Sequence, residues 1–151
     1  MKNRNFINLA SKAANIQIKE LKKIKKVFNS SFIKAVKLIM SCKGKVIFSG
    51  VGKNSFICKK AAATFSSVGV PSFFVDPTGV SHGDAGQIQK KDILIIISNS
   101  GNTSELTNLL KFANRHGIKI IGIASNPSSM LMKASDIKIT YPKLKESDPN
   151  N

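Results

Sequence analysis

The sequence predicts an α/β fold: a three-layer αβα sandwich with a five-stranded parallel sheet, preceded by an N-terminal helix or helices. Three observations predict it. Short β-branched runs alternate with stretches of helical periodicity. The run Ile93-Leu94-Ile95-Ile96-Ile97 is apolar on both faces, as a central parallel strand requires. The connections between runs are short, which suits a doubly wound arrangement.

From about Asn5 to Met40 the apolar residues Leu21, Ile24, Phe28, Phe32, Ala35 or Val36, and Ile39 recur at helical spacing, with lysines between them. This reads as one long or two consecutive amphipathic helices, the break falling near Asn29-Ser30-Ser31, where Asn or Ser would cap the second. The first strand is Lys45 to Ser49, ending at Gly50, and a helix from about Ser55 to Val68 is closed by Gly69 and Pro71. Ser72 to Val75 is the second strand. A loop rich in Asp, Pro, Gly and His runs from Asp76 to Gln87 and leads to the third strand, Ile93 to Ile97. A helix from about Thr103 to His116 is stopped by Gly117; Ile118 to Ile123 is the fourth strand, Ser128 to Ala134 a short helix, and Ile137 to Ile139 the fifth strand.

At 151 residues and 42% hydrophobic content the chain supports one ordinary core. Its longest apolar run falls far short of the roughly 20 residues of a membrane span, and Met1-Lys2-Asn3-Arg4 does not lead into an apolar signal core. A soluble, cytoplasmic protein is expected, with Cys42 and Cys58 as two buried thiols and no metal site or cofactor. The net charge of +16 raises nucleic acid as a partner, but of the 24 basic residues only Arg4 and Arg115 are arginine, and the lysines are dispersed. That balance makes nucleic acid an unfavoured partner and favours small anions.

In open parallel sheets ligands bind beyond the carboxyl ends of the strands. After the first strand stands Gly50-Val51-Gly52-Lys53-Asn54-Ser55, where glycines let backbone approach a ligand and a helix start offers N–H groups to an anion. A Walker A loop is excluded, because Ile47 and Asn54 stand where it needs Gly and Ser or Thr. A dinucleotide fingerprint would need glycine in place of Ser55, but Asp76 keeps that alternative open, as does a turn that binds nothing. After the third strand, Ser98, Asn99, Ser100, Thr103 and Ser104 cluster hydroxyl and amide groups at a helix start, Gly101 allows a tight turn, and Asn102 or Thr103 can cap the helix. Phosphate binding and ordinary capping both fit that loop.

Taken together, Cys42-Lys43-Gly44-Lys45-Val46, Gly50-Val51-Gly52-Lys53, Thr64-Phe65, Gly69 to Val75, His82-Gly83-Asp84 and Ser98-Asn99-Ser100-Gly101 with Glu105 resemble the sugar-isomerase (SIS) domain of bacterial arabinose-5-phosphate isomerases. The resemblance runs from about Ala35 onward and implies a flavodoxin-like sheet. It implies interconversion of D-ribulose 5-phosphate and D-arabinose 5-phosphate, feeding the Kdo sugar of lipopolysaccharide, and assembly as a homo-oligomer, a tetramer. It further implies that Gly50, Gly52, Ser55, Ser98, Asn99, Ser100 and Thr103 bind substrate, with Lys53, His82, Glu105 and Glu146 at the reaction centre. Those types suit the chemistry, since aldose–ketose isomerisation through an enediol needs a base and a cation for the developing oxyanion.

The sequence departs from that pattern in two places. Asn54-Ser55 replaces the usual Ser-Gly after Lys53, and the residues from Glu146 to Asn151 stand where relatives continue into a further helix, a second histidine and often a CBS pair. The organisation expected is a helical segment, residues 1–40, followed by a phosphosugar-binding SIS domain, residues 41–151, without the last part of the family domain. A phosphosugar isomerase, complete or inactive, and a non-catalytic phosphosugar-binding module both fit.

Overall fold

The computed structural model describes residues 3–147. Helix α1, Asn3–Lys23, ends in Lys22 and Lys23, cations that suit the negative end of a helix, and passes through a short 3₁₀ turn, Ile24–Val27. Helix α2, Ser30–Met40, begins at Asn29, whose side chain accepts from the N–H groups of Ser31 and Phe32. The break and its cap are those the periodicity predicts.

Strand β1 is Val46–Ser49, α3 is Lys53–Ser67, β2 is Ser72–Phe74 and β3 is Ile93–Ile97. Helix α4, Leu106–His116, β4, Lys119–Ala124, α5, Met130–Ala134, and β5, Ile137–Thr140, complete the described elements. Helix α4 starts later than its expected beginning at Thr103. There the chain makes tighter i to i+3 bonds, Leu106 N–H to Thr103 O and Thr107 N–H to Ser104 O, before the α ladder begins.

All five strands run parallel in the order β2-β1-β3-β4-β5. Alternation sorts the strand side chains to two cores. Ile47, Leu94, Ile96 and Ile120 pack against Leu106, Leu109 and Ala113 of α4 and Leu131 and Met132 of α5. Val46, Phe48, Ile93, Ile95 and Ile121 pack on the opposite face against Ala35 of α2 and Cys58 and Ala62 of α3. Helices therefore cover both faces of the sheet. Each Å² of apolar surface buried in these two layers stabilises the fold by ~25 cal/mol.

Cys58 is fully buried, as expected, but Cys42 is only half-buried. The difference follows from position: Cys42 lies in the turn just beyond α2, with its Sγ 3.7 Å from the carbonyls of Lys45 and Lys91, whereas Cys58 lies on the inner face of α3.

At the end of the sheet where the strands begin, Asp92 is almost fully buried and accepts from Lys45 N–H and Gln89 N–H, both at 2.8 Å. This carboxylate joins the entries to β1 and β3.

Candidate functional site

The strand order places β1 beside β3, and their following helices leave on opposite faces of the sheet: α3 carries the chain from β1 to β2, α4 from β3 to β4. Such a reversal opens a crevice between the carboxyl ends of the two strands. Gly50 to Gly52 and Ser98 to Glu105 leave those ends.

The first loop turns at Gly52, whose φ of +60° lies in the left-handed region that glycine enters without steric cost. Gly50 is buried at the exit of β1, and Lys53 opens α3 with an exposed side chain. Ser55 is half-buried in the first turn of α3, its N–H bonded to Gly52 O.

The second loop is held from within. Ser98 is buried; its hydroxyl accepts from Gly101 N–H at 3.1 Å and pairs with the Thr103 hydroxyl at 2.9 Å. Gly101 has φ +69°, and a Cβ at that position would run into the Ser129 side chain. Ser100 Oγ accepts from Asn102 N–H at 3.2 Å. Neither of the two capping candidates, Asn102 and Thr103, caps α4 with its side chain: the Thr103 hydroxyl pairs with Ser98, and Asn102 Oδ1 accepts from Met130 N–H at 2.9 Å, at the start of α5. The loop is thus fastened to its neighbour beyond β4.

An open cleft of about 960 Å³ occupies the crevice. Val51 of the first loop, Lys53 and Asn54 at the start of α3, and Asn99 of the second loop line it. Lys23 from the end of α1 and the segment from Tyr141 to Glu146 close the rest. That segment leaves β5 and crosses the mouth: Tyr141 Oη donates to Asn99 Oδ1 at 2.9 Å, while Asn99 O accepts from both the N–H and the hydroxyl of Ser125. Burial raises the Tyr141 phenol above its ordinary pKa, so the phenol remains a donor at neutral pH.

Of the residues singled out from the sequence, the fold brings Lys53, Asn99 and Glu146 to one cleft. Ser98, Ser100 and Thr103 build the loop on its β3 side. Glu105 lies one residue before α4, exposed, its carboxylate held below the ordinary value by its own backbone N–H and by the Ser104 hydroxyl at 2.8 Å. His82 ends a 3₁₀ turn, Gly79–His82, and is exposed. Neither Glu105 nor His82 lines the cleft of this chain. Gly50, Gly52, Ser55, Ser98, Ser100 and Thr103 do not line it either; Val51, Asn54 and Asn99 are their neighbours that do. Sequence reasoning missed Tyr141, Lys143 and Lys23, because a side chain brought in by the turn after β5, or by the end of α1, carries no local motif. The one available signal was that Tyr141 is the only tyrosine and follows the last strand.

Among the described residues no cluster of three His, Cys, Asp or Glu side chains could hold a metal ion, and no helix is long and apolar enough to cross a membrane.

Compared with known proteins, residues 39–150 match the SIS domain. The chain belongs to the SIS domain family. This SIS chain is 38% identical over 149 residues to the arabinose 5-phosphate isomerase KdsD of Pseudomonas aeruginosa, covering 99% of this chain and 46% of that protein. It is 43% identical over 148 residues to KdsD of Francisella tularensis, covering 96% and 45%. The chain therefore spans a little under half the length of these curated relatives. Among solved structures, an Escherichia coli protein in complex with arabinose 5-phosphate superposes with a TM-score of 0.88 at 38% identity, over 99% of this chain and 80% of that one. A Listeria monocytogenes protein superposes with a TM-score of 0.93 at 31% identity, over 99% of this chain and 79% of that one. The five-stranded parallel sheet with helices on both faces is the SIS architecture, as the sequence predicts.

Proposed function

We propose that this SIS domain binds a pentose phosphate in the cleft between β1 and β3 and serves an aldose–ketose isomerase that interconverts D-ribulose 5-phosphate and D-arabinose 5-phosphate. The observation that carries the proposal is the pairing, across one crevice, of a hydroxyl-rich loop turned at Gly101 with a glycine loop that ends in Lys53. The names of the relatives at 38% and 43% identity, and the arabinose 5-phosphate complex of the Escherichia coli protein, support it.

In this reading Ser98, Ser100 and Thr103, with Gly50, Gly52, Ser55 and Asn99, hold the substrate, its phosphate at the hydroxyl loop and the start of α4. The phosphate anchor fixes the sugar carbons relative to the acid–base groups. A base removes the proton from the carbon next to the carbonyl, and a proton is returned to the neighbouring carbon after the enediol has formed. Lys53 supplies the cation facing the oxyanion that develops on the carbonyl oxygen. Glu105, His82 and Glu146 share the proton transfers. The hydrogen bonds of Glu105 keep its carboxylate ionised at neutral pH, the form a base needs, while lowering its basicity.

Residues 1–40 act as a helical segment and residues 41–151 as the phosphosugar-binding unit, working in the cytoplasm toward the Kdo sugar of lipopolysaccharide. Homo-oligomer formation, as a tetramer, is part of the same proposal. Its support is the apolar surface left open on α1, on α2 and in the connection between them, including Ile7, Leu21, Phe28, Ile33 and Met40.

A second reading has its own support: Glu105 and His82 do not line the cleft that holds Lys53 and Glu146, which suits a module that binds a phosphosugar without converting it. Incubation with ribulose 5-phosphate, followed by chromatographic assay for arabinose 5-phosphate and by calorimetric titration, separates the two. Product formation supports the isomerase. Binding without product supports the module, and the absence of both overturns the site.

A further inference from the structure

Glu20 is an acidic side chain on a helix whose outer faces are lysine-rich, yet the residue is only 8% exposed. Both of its carboxylate oxygens lie 2.6 Å from Lys23 Nζ. Oε2 also accepts the backbone N–H of Lys145 at 3.0 Å, across 125 positions of sequence. One helical turn earlier on the same face, Gln17 Nε2 donates to Ser147 Oγ at 3.1 Å. These two bonds reach the residues on either side of Glu146. Between α1 and the segment lies a hollow of about 800 Å³, bordered by Leu21, Ile24 and Leu144, so apolar contact alone does not fix the separation of the two. At its other end the segment is held by Tyr141 on Asn99.

We propose that Glu20 is a positioning residue: it fixes the segment from Tyr141 to Ser147 across the cleft, and so sets the place of Glu146 and Lys145 there, while holding Lys23 at the rim. The part of this that concerns turnover rests on the proposed isomerase reading; the anchoring itself does not. Glu20 does not itself line the cleft; its hydrogen bonds go to Lys23 and Lys145, which do. The chemistry selects a carboxylate here because one side chain must accept from an ammonium and from a main-chain N–H at once. Removal of the acceptor leaves the Lys145 amide without its partner and releases the segment next to a residue proposed for proton transfer, where small displacements reduce rate strongly.

The test compares the full chain with Glu20→Ala and Glu20→Gln. The glutamine retains a carbonyl oxygen for Lys145 N–H. The first readout needs no ligand: amide exchange at residues 144–147, together with emission of Tyr141, the only tyrosine in a chain without tryptophan. Exchange about tenfold faster in Glu20→Ala, with altered Tyr141 emission and recovery in Glu20→Gln, is expected. Unchanged exchange and emission in Glu20→Ala overturn the proposal. The second readout is turnover of ribulose 5-phosphate: kcat about tenfold lower with KM changed less than about threefold is expected for Glu20→Ala. Equal loss in both variants, accompanied by faster exchange throughout the sheet, would mark Glu20 as a general stability residue and also overturn it. A wild-type chain that converts no substrate would refute the isomerase reading alone, and the exchange readout would still decide the role of Glu20.

Discussion

Asn102 Oδ1 accepts from the backbone N–H of Met130 at 2.9 Å, which ties the hydroxyl loop after β3 to the first residue of α5. That bond satisfies a helix N–H that would otherwise lack an intrahelical partner, and it holds Asn102 beside the Gly101 turn. Asn102→Ala is expected to cost about 1 kcal/mol in urea unfolding, as the loss of a capping side chain does, and to weaken ribulose 5-phosphate binding several-fold in calorimetry. Asn102→Asp, which keeps the acceptor, is expected to retain most of the stability. Equal behaviour of the two variants would count against the tie.

Asp92 is a side-chain acceptor of a different kind, buried and remote from the cleft. Its carboxylate takes two backbone N–H groups at 2.8 Å where β1 and β3 begin. Asp92→Ala leaves both part-buried donors without their acceptor and is expected to cost about 1–3 kcal/mol, measured by equilibrium urea unfolding. Asp92→Asn keeps an acceptor and is expected to cost less, with phosphosugar affinity unchanged once the protein is folded.

The two thiols are expected to react very differently. Burial raises the Cys58 thiol to about 11, and its Sγ donates to Ser49 O at 3.2 Å inside the α3 face. The thiolate is the reactive form, so at pH 8 a thiol-specific chromogenic reagent is expected to titrate Cys42 promptly and Cys58 only on denaturation. Two equally fast equivalents in the folded protein would contradict the packing of α3.

Acid is expected to break the ion pair between Glu20 and Lys23 and to leave the acceptor for Lys145 N–H in place, as Glu20→Gln does. The bonds from Lys23 and from Lys145 N–H hold the Glu20 carboxyl below its ordinary value of 4.5. A carboxyl depressed on folding contributes stability that is fully present above its unfolded pKa and is lost as pH falls through its folded pKa. Tyr141 emission and the protection of amides 144–147, taken relative to the intrinsic exchange rate at each pH, are therefore expected to be constant from pH 7 down to about 5 and to move below 4.5 toward the values of Glu20→Gln, which itself lacks that transition. A transition centred above 5 would assign it to some other group.

Much of the fold was legible because its causes are local or periodic. The alternation of apolar runs and helical stripes identified the strands and helices, and Asn29 marked the start of α2 by its capping chemistry. The doubly apolar Ile93 to Ile97 run placed β3 at the centre of the sheet, where it pairs with β1 and β4. Less legible was the start of α4. Hydroxyl and amide side chains there have several acceptors to choose from, and Asn102 bonds to α5 instead of its own helix.

By itself the sequence determined that this is a doubly wound α/β chain of the SIS family, with a hydroxyl loop after β3 and a lysine after the β1 glycines. Those features are encoded over a few neighbouring residues, so they survive without knowledge of the rest. Only the tertiary structure decided which side chains share the cleft: Lys53 and Asn99 with Tyr141, Glu146 and Lys23, but not Glu105 or His82. It likewise decided that Glu20 reaches Lys145. Contacts across 125 positions depend on how the sheet stacks its loops and where the chain runs after β5, and no local pattern of residues specifies that.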